Sequence, residues 1–194
     1  TDDMPFLVDS VAMAVTRRGR ALHLVVHPQL VVQRDAAGHL VEVRDTDVKA
    51  EGEFGVGTES WMHLEIDRVS DAAERAAIAD ELRAVLDDVR VAVEDWPKMR
   101  AHCRDLADEL RAAAPVGLPE SEVSQSIRFL NWLADNHFTF LGYRQYHLDE
   151  ADGETVLVPD TGSGLGLLRY DSSGSTGFAR LNPEAQARAR DKEL

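Results

Sequence analysis

Hydrophobic positions along the chain change period several times, and each change predicts an element. Leu7, Val11, Ala14 and Val15 recur at helical spacing. Pro5 suits the first turn of that helix, with Asp3 or Met4 as its cap, and Gly19 among Arg17, Arg18 and Arg20 supplies a stop. From Leu22 to Arg34 the pattern becomes that of a strand covered on both faces. Leu22, Leu24 and Val26 lie on one side, and His23, Val25 and His27 on the other. Pro28 interrupts it, which implies a bulge or an edge position. Asp35 to Gly38 reads as a turn and His39 to Val43 as a returning arm, so the pair is a hairpin. Residues 44 to 58 are polar and punctuated by Gly52, Gly55 and Gly57, the pattern of a long loop. Trp61 to Val69 alternates again, with Met62, Leu64 and Ile66 inward.

Ser70 or Asp71 is placed to cap a long helix whose apolar positions are Ile78, Leu82, Val85, Leu86, Val89, Val93 and Trp96. Val89, Val91 and Val93 also alternate, as a short strand would, but the longer helical register is unbroken. Pro97 is expected to kink or restart the helix, and Met99, Cys103, Leu106 and Leu110 carry it to Ala114. The run Pro115-Val116-Gly117-Leu118-Pro119 reads as a linker. Beyond it, Ile127, Leu130 and Leu133, with Phe129 and Trp132 beside them, predict an apolar helix ending near Asn136. A strand from His137 to His147, a turn at Asp149 to Gly153 and a strand from Thr155 to Val158 follow. The chain is then rich in Gly and Ser up to a last helix starting at Asn182-Pro183-Glu184. These patterns divide the chain into an α/β domain over 1–95, a helical connector and linker over 96–118, and a second α+β unit over 119–194. The opening at Thr1, with no Met and no lead-in, reads as a piece of something longer.

Composition narrows the function. A formal net charge of −14 disfavours nucleic acid, whose phosphates call for a basic face, and also an anionic membrane surface. No apolar run reaches membrane-spanning length. Cys103 is the sole cysteine, so neither an intrachain disulfide nor a cysteine zinc site can form, which fits a reducing cytoplasm. Its neighbours at helical spacing make it a small core residue rather than a nucleophile.

The search for chemistry returns little. Gly162-Ser163-Gly164-Leu165-Gly166 follows an apolar strand, but Leu167 stands where a dinucleotide fingerprint needs its third glycine, so the run reads as a flexible turn. His23 and His27 on a strand lie about 13 Å apart and have no nearby carboxylate in sequence, which argues against a metal site. Asp2-Asp3 and Asp87-Asp88 are adjacent acids that diverge on a helix. No metal site and no catalytic residue is expected in this chain.

Several runs nevertheless carry a resemblance. Thr1-Asp2-Asp3-Met4-Pro5-Phe6-Leu7-Val8-Asp9-Ser10 resembles a motif of the large bacterial NAD-specific glutamate dehydrogenases. So do Leu24-Val25-Val26-His27-Pro28, Val93-Glu94-Asp95-Trp96, the run from Trp132 to Arg144, and Gly164-Leu165-Gly166, in the same order. The resemblance implies an N-terminal, non-catalytic regulatory segment with an ACT-like domain, a ferredoxin-like βαββαβ sandwich of helices on an antiparallel sheet. Residues 5 to 94 match its helix, strand, strand, helix order, and the family pattern places a strand before Asp2. NAD would belong to the parent enzyme and no cofactor to this chain. The implied partners are the chain itself, the downstream catalytic domain and an amino-acid effector.

The resemblance places effector binding at the turn into the first helix, with Asp3, Phe6, Leu7 and Asp9 as candidate residues. Ligand-binding ACT domains carry a glycine where this chain has Phe6, and a phenylalanine ring there fills ligand space. The alternative is that Phe6 and Leu7 are core and Asp3 is a cap. Three functions stand at this point: a regulatory and assembly segment of a glutamate dehydrogenase, a stand-alone amino-acid-binding module, or a purely structural oligomerisation domain.

Overall fold

The computed structural model describes residues 1–44, 54–151 and 154–170. It separates into two compact units, Thr1–Arg90 and Val91–Leu194. The architecture is α+β with antiparallel sheets, as the patterning and the ACT-like resemblance imply.

In the first unit, helix α1 spans Leu7–Arg17 and buries Leu7, Val11, Ala14 and Val15, the stripe predicted for it. Burial of Leu7, Val11 and Val15 contributes roughly 1.5–3 kcal/mol each, and the Ala14 methyl less. The helix does not begin with a side-chain cap. Phe6 occupies the cap position in the left-handed region (φ 71°, ψ −4°), and no side chain bonds the free amides. Neither Asp3 nor Met4 is the cap, because Asp3 is held by the sheet. Its N–H donates to the Thr58 carbonyl (3.0 Å), and its carboxylate accepts from Ser60 Oγ and Gln29 Nε2. The helix ends at Gly19, whose N–H reaches the Thr16 carbonyl (2.9 Å).

Pro28 divides the long predicted strand into β1 (Leu22–Val26) and β2 (Gln29–Arg34). Strand β4 (Val56–Ser60) begins within the segment expected to be loop, 44 to 58, and β5 (His63–Ile66) carries the predicted alternation over a shorter span. β1 pairs with β5 and β2 with β4, all antiparallel. One register runs through both ladders. Val26 stands opposite His63 and Gln29 opposite Ser60, and the Trp61 N–H donates to the Pro28 carbonyl (3.1 Å) across the gap. Pro28 therefore removes one donor from the ladder without shifting the pairing. β1 is not covered on both faces: Leu24 and Val26 remain over two-fifths exposed.

The predicted hairpin forms β3 (Leu40–Arg44) against the far edge of β2. Its turn is fixed by the Asp35 carboxylate, which accepts from the Ala37 and His39 amides (2.9 Å each). Helix α2 (Ala72–Ala112) starts with Asp71 accepting from the Ala73 amide (3.0 Å), as its cap predicts. Glu81 on α2 takes both Arg17 and Arg18 from the end of α1.

The division between units falls inside α2. The helix is unbroken from Ala72 to Ala112, so Pro97 neither ends nor restarts it, and Val89–Val93 is not a strand. A proline in a helix interior costs about 3 kcal/mol. Here Met99, Cys103 and Ala107 resume the buried stripe directly after it. The helix continues where a six-element ferredoxin-like pattern would turn into a last strand.

In the second unit, α3 (Glu120–Trp132) lies against this part of α2. The Cys103 thiol donates to the Leu130 carbonyl (3.2 Å), and Arg100 Nε donates to the Ala134 carbonyl (2.8 Å). The chain leaves α3 through a wide π-type turn, Leu133–His137, with Asn136 left-handed (φ 63°). The single strand expected from His137 to His147 is instead two: β6 (Gly142–Tyr143) and β7 (Tyr146–Ala151). β7 pairs with β8 (Glu154–Pro159), and β6 pairs with β9 (Leu165–Gly166). The helix expected from Asn182 lies outside the described residues.

Candidate functional site

Asp3, Phe6, Leu7 and Asp9 come together on one pocket of about 250 Å³, which His27 and Gln29 also line. Each is placed by a different constraint. Asp3 is tied to the sheet by its backbone and by Ser60 and Gln29, with Gln29 Nε2 at 2.8 Å from its carboxylate. Leu7 is 1% exposed, so it anchors the turn as part of the buried stripe of α1. Phe6 is 43% exposed, so it is not a core residue. Its left-handed backbone is unusual for a bulky side chain and stores strain on the order of 1–2 kcal/mol. Asp9 lies in the first turn of α1.

The pocket's polarity follows from what is left unpaired. An α-helix starts with amides that have no intrahelical partner, and together with the helix dipole they favour an anion. Here no side chain caps them. His27 Nε2 is buried and has no hydrogen-bond partner. An uncapped helix start, a buried imidazole nitrogen and the fixed Asp3 carboxylate could accommodate a small ligand carrying both charges. His27 and Gln29 were not among the sequence candidates. The signal for His27 was present, because Thr1–Ser10 and Leu24–Pro28 are two of the runs that carry the family resemblance, and they meet here.

A second feature of the first unit is a buried acid. Glu59 takes Arg34 on both oxygens (Nε to Oε1 2.5 Å, a terminal nitrogen to Oε2 2.9 Å) and also accepts from Trp61 Nε1 (2.9 Å). The Arg34 hydrogen bonds outweigh burial and hold its carboxyl at about 2, against an ordinary 4.5. The adjacent acids Asp2 and Asp3 diverge as expected. Asp2 pairs with Arg90 (3.0 Å), and Asp3 turns to Ser60. His23 does have a carboxylate partner, since Asp67 Oδ1 lies 2.9 Å from its Nε2, a contact invisible in local sequence spacing. Among the described residues no group of three or more His, Cys, Asp or Glu is arranged to hold a metal ion.

In the second unit two further resemblance runs meet. Asp95 is 1% exposed and accepts from Lys98 Nζ (2.9 Å), the Gly166 amide (2.9 Å) and Arg169 Nε (2.9 Å). Burial pushes its carboxyl up, but these donors prevail and hold it at about 2. The glycine run is consequently not a flexible turn. A Cβ at Gly164 would stand 2.3 Å from the Leu168 carbonyl oxygen, and one at Gly166 2.3 Å from that of Leu141. This run does not fit a dinucleotide pyrophosphate: the Gly166 amide is committed to a carboxylate, and the backbone is packed too closely to cradle phosphates.

Residues 1–82 match the family described as glutamate dehydrogenase, ACT1 domain. The chain is similar to NAD-specific glutamate dehydrogenases from Pseudomonas aeruginosa (42% identical over 173 residues, 89% of the chain), Halomonas elongata (38% over 170, 88%) and Mycobacterium tuberculosis (30% over 163, 84%). In each case the match covers 10% of the relative, so the chain spans about a tenth of their length. Residues 1–82 thus match the ACT1 domain of the glutamate dehydrogenase family, and the chain as a whole is similar to one segment of much longer NAD-specific glutamate dehydrogenases.

Proposed function

We propose that this chain is the non-catalytic, N-terminal regulatory and assembly segment of a cytoplasmic NAD-dependent glutamate dehydrogenase. The parent reaction is L-glutamate, NAD and water to 2-oxoglutarate, ammonium and NADH. The observation that carries the proposal is similarity over 89% of the chain to an enzyme of which it spans only 10%, beginning with an ACT1 domain. Purified residues 1–194 should not reduce NAD with glutamate, followed at 340 nm, whereas the full-length chain should. Turnover by the 194 residues alone overturns the proposal.

A second reading is favoured by a specific feature, the pocket at the Asp3–Asp9 turn. Its uncapped helix start and the unpartnered His27 nitrogen suit the carboxylate of a free amino acid, and Asp3 faces the same space. In this reading the segment senses an amino-acid effector. A thermal-shift screen of the common amino acids should find one that raises the melting temperature of residues 1–194, and a His27→Ala variant should lose that shift. A flat screen removes this reading and leaves the assembly role, which size-exclusion chromatography with light scattering tests separately.

A further inference from the structure

In the first unit the sheet order β3-β2-β4 leaves β3 terminal, and among the described residues nothing pairs with its outer side. In an antiparallel ladder, alternate residues direct their backbone groups to opposite neighbours. Arg34 donates to the Gly55 carbonyl (2.8 Å) in the β4 register, so Val31 and Gln33 turn their backbone groups toward β3. Their partners there are Arg44 and Glu42. Val43, opposite Val32, therefore directs its N–H and C=O outward, away from β2. Val43 is 49% exposed. Glu42 and Arg44 share one face of the strand, where Arg44 donates to Glu42 (3.2 Å) and to Gln33 (2.8 Å). No proline within β3 blocks further pairing.

We propose, on the reading of this chain as an assembly segment, that β3 pairs antiparallel with the β3 of a second copy, across a two-fold axis at Val43. The charges select both the occupant and the register. A two-fold axis perpendicular to a sheet sets residues equally far from it, on either side, opposite each other. With the axis at Val43, the two Val43 residues exchange N–H and C=O groups, and Glu42 of each copy stands opposite Arg44 of the other. Opposite charges in facing positions stabilise such a ladder, and like charges directly opposite destabilise it. An axis at Glu42 would instead set the two Glu42 carboxylates face to face in the closer, non-hydrogen-bonded pairing. The order acid, outward-facing valine, base thus makes the strand complementary to itself, a property that pairing with an unrelated segment does not require. A five-residue edge buries far less than the roughly 1,200 Å² of a stable interface, so it acts as one contact within a larger assembly.

Disulfide trapping in the full-length chain tests this pairing. Val43→Cys sets two thiols at the axis with Cα atoms about 5.5 Å apart, within disulfide reach. Mild oxidation should give a covalent dimer on a non-reducing gel, and mass spectrometry of its digest should find position 43 joined to position 43. Glu42→Arg in that background turns both facing pairs repulsive and should lower the yield roughly tenfold, and adding Arg44→Glu should restore it to within about twofold. Restoration shows charge pairing rather than a misfolded arm. The proposal is overturned if the 43–43 link is absent, if its yield ignores Glu42→Arg, or if Arg44→Glu does not restore it. Efficient self-linking of Glu42→Cys in place of Val43→Cys also overturns it, by moving the axis to Glu42. Light scattering on the unsubstituted full-length chain keeps the two readings apart. A monomer removes the assembly role and this contact with it, whereas an oligomer without the 43–43 link removes only the contact.

Discussion

Asp95 offers the sharpest test of the reasoning. Its carboxylate is 1% exposed and holds Lys98, the Gly166 amide and Arg169, tying the glycine run to α2. Asp95→Asn keeps the shape but removes the charge, and it turns an amide NH2 toward a donor it cannot serve. The lowering of the carboxyl from an ordinary 3.8 to about 2 corresponds to roughly 2.5 kcal/mol of folding stability at neutral pH. Removing one member of a buried ion pair costs about 3–5 kcal/mol. Lys98 is 66% exposed and would return to water, so a loss of about 2–3 kcal/mol is expected.

The assay is urea unfolding followed by tryptophan fluorescence in a Trp61→Phe background, which leaves Trp96 and Trp132, both in the second unit. The sign of the pH dependence is fixed. A depressed carboxylate stabilises above its unfolded pKa and loses that contribution as pH falls through its folded value. The gap between the parent and Asp95→Asn proteins should therefore be full above about pH 4 and close toward pH 2. A gap under about 0.5 kcal/mol at pH 7, the scale of an ordinary surface substitution, or one that does not narrow on acidification, refutes the account.

Three further outcomes are expected. Glu59→Gln should destabilise the first unit by about 2–3 kcal/mol at pH 7, with the difference fading between pH 4.5 and 2, read from Trp61 fluorescence during urea unfolding. Gly166→Ala should cost about 2 kcal/mol or more in a denaturant melt, because its Cβ would meet the Leu141 carbonyl at 2.3 Å and its φ of +58° disfavours any side chain. Phe6→Gly should change stability by no more than about 1 kcal/mol, since relieved strain and added unfolded-state freedom oppose each other, whereas Leu7→Ala one residue on should cost about 2–5 kcal/mol in the same melt.

The sequence alone determined the elements whose signals are local. The stripe Leu7, Val11, Ala14, Val15 made α1, Asp71 capped α2, and the turn at Asp35–Gly38 made the β2–β3 hairpin, because spacing, caps and turn chemistry act within a few residues. It also named the four residues of the Asp3–Asp9 turn and the runs that carry the family resemblance. Tertiary structure decided what depended on partners distant in the chain. Asp3 left the helix cap for Gln29 and Ser60, residues 26 and 57 positions away. Pro97 stayed inside a helix whose buried stripe resumed after it. His23 found Asp67, and the glycine run became rigid once its backbone met Asp95, 71 residues earlier. A residue's own spacing records its periodicity and its backbone freedom. Which buried charge or sheet edge it satisfies is set only when the chain closes, because the cost of an unpaired buried group is met by whatever partner the fold brings near.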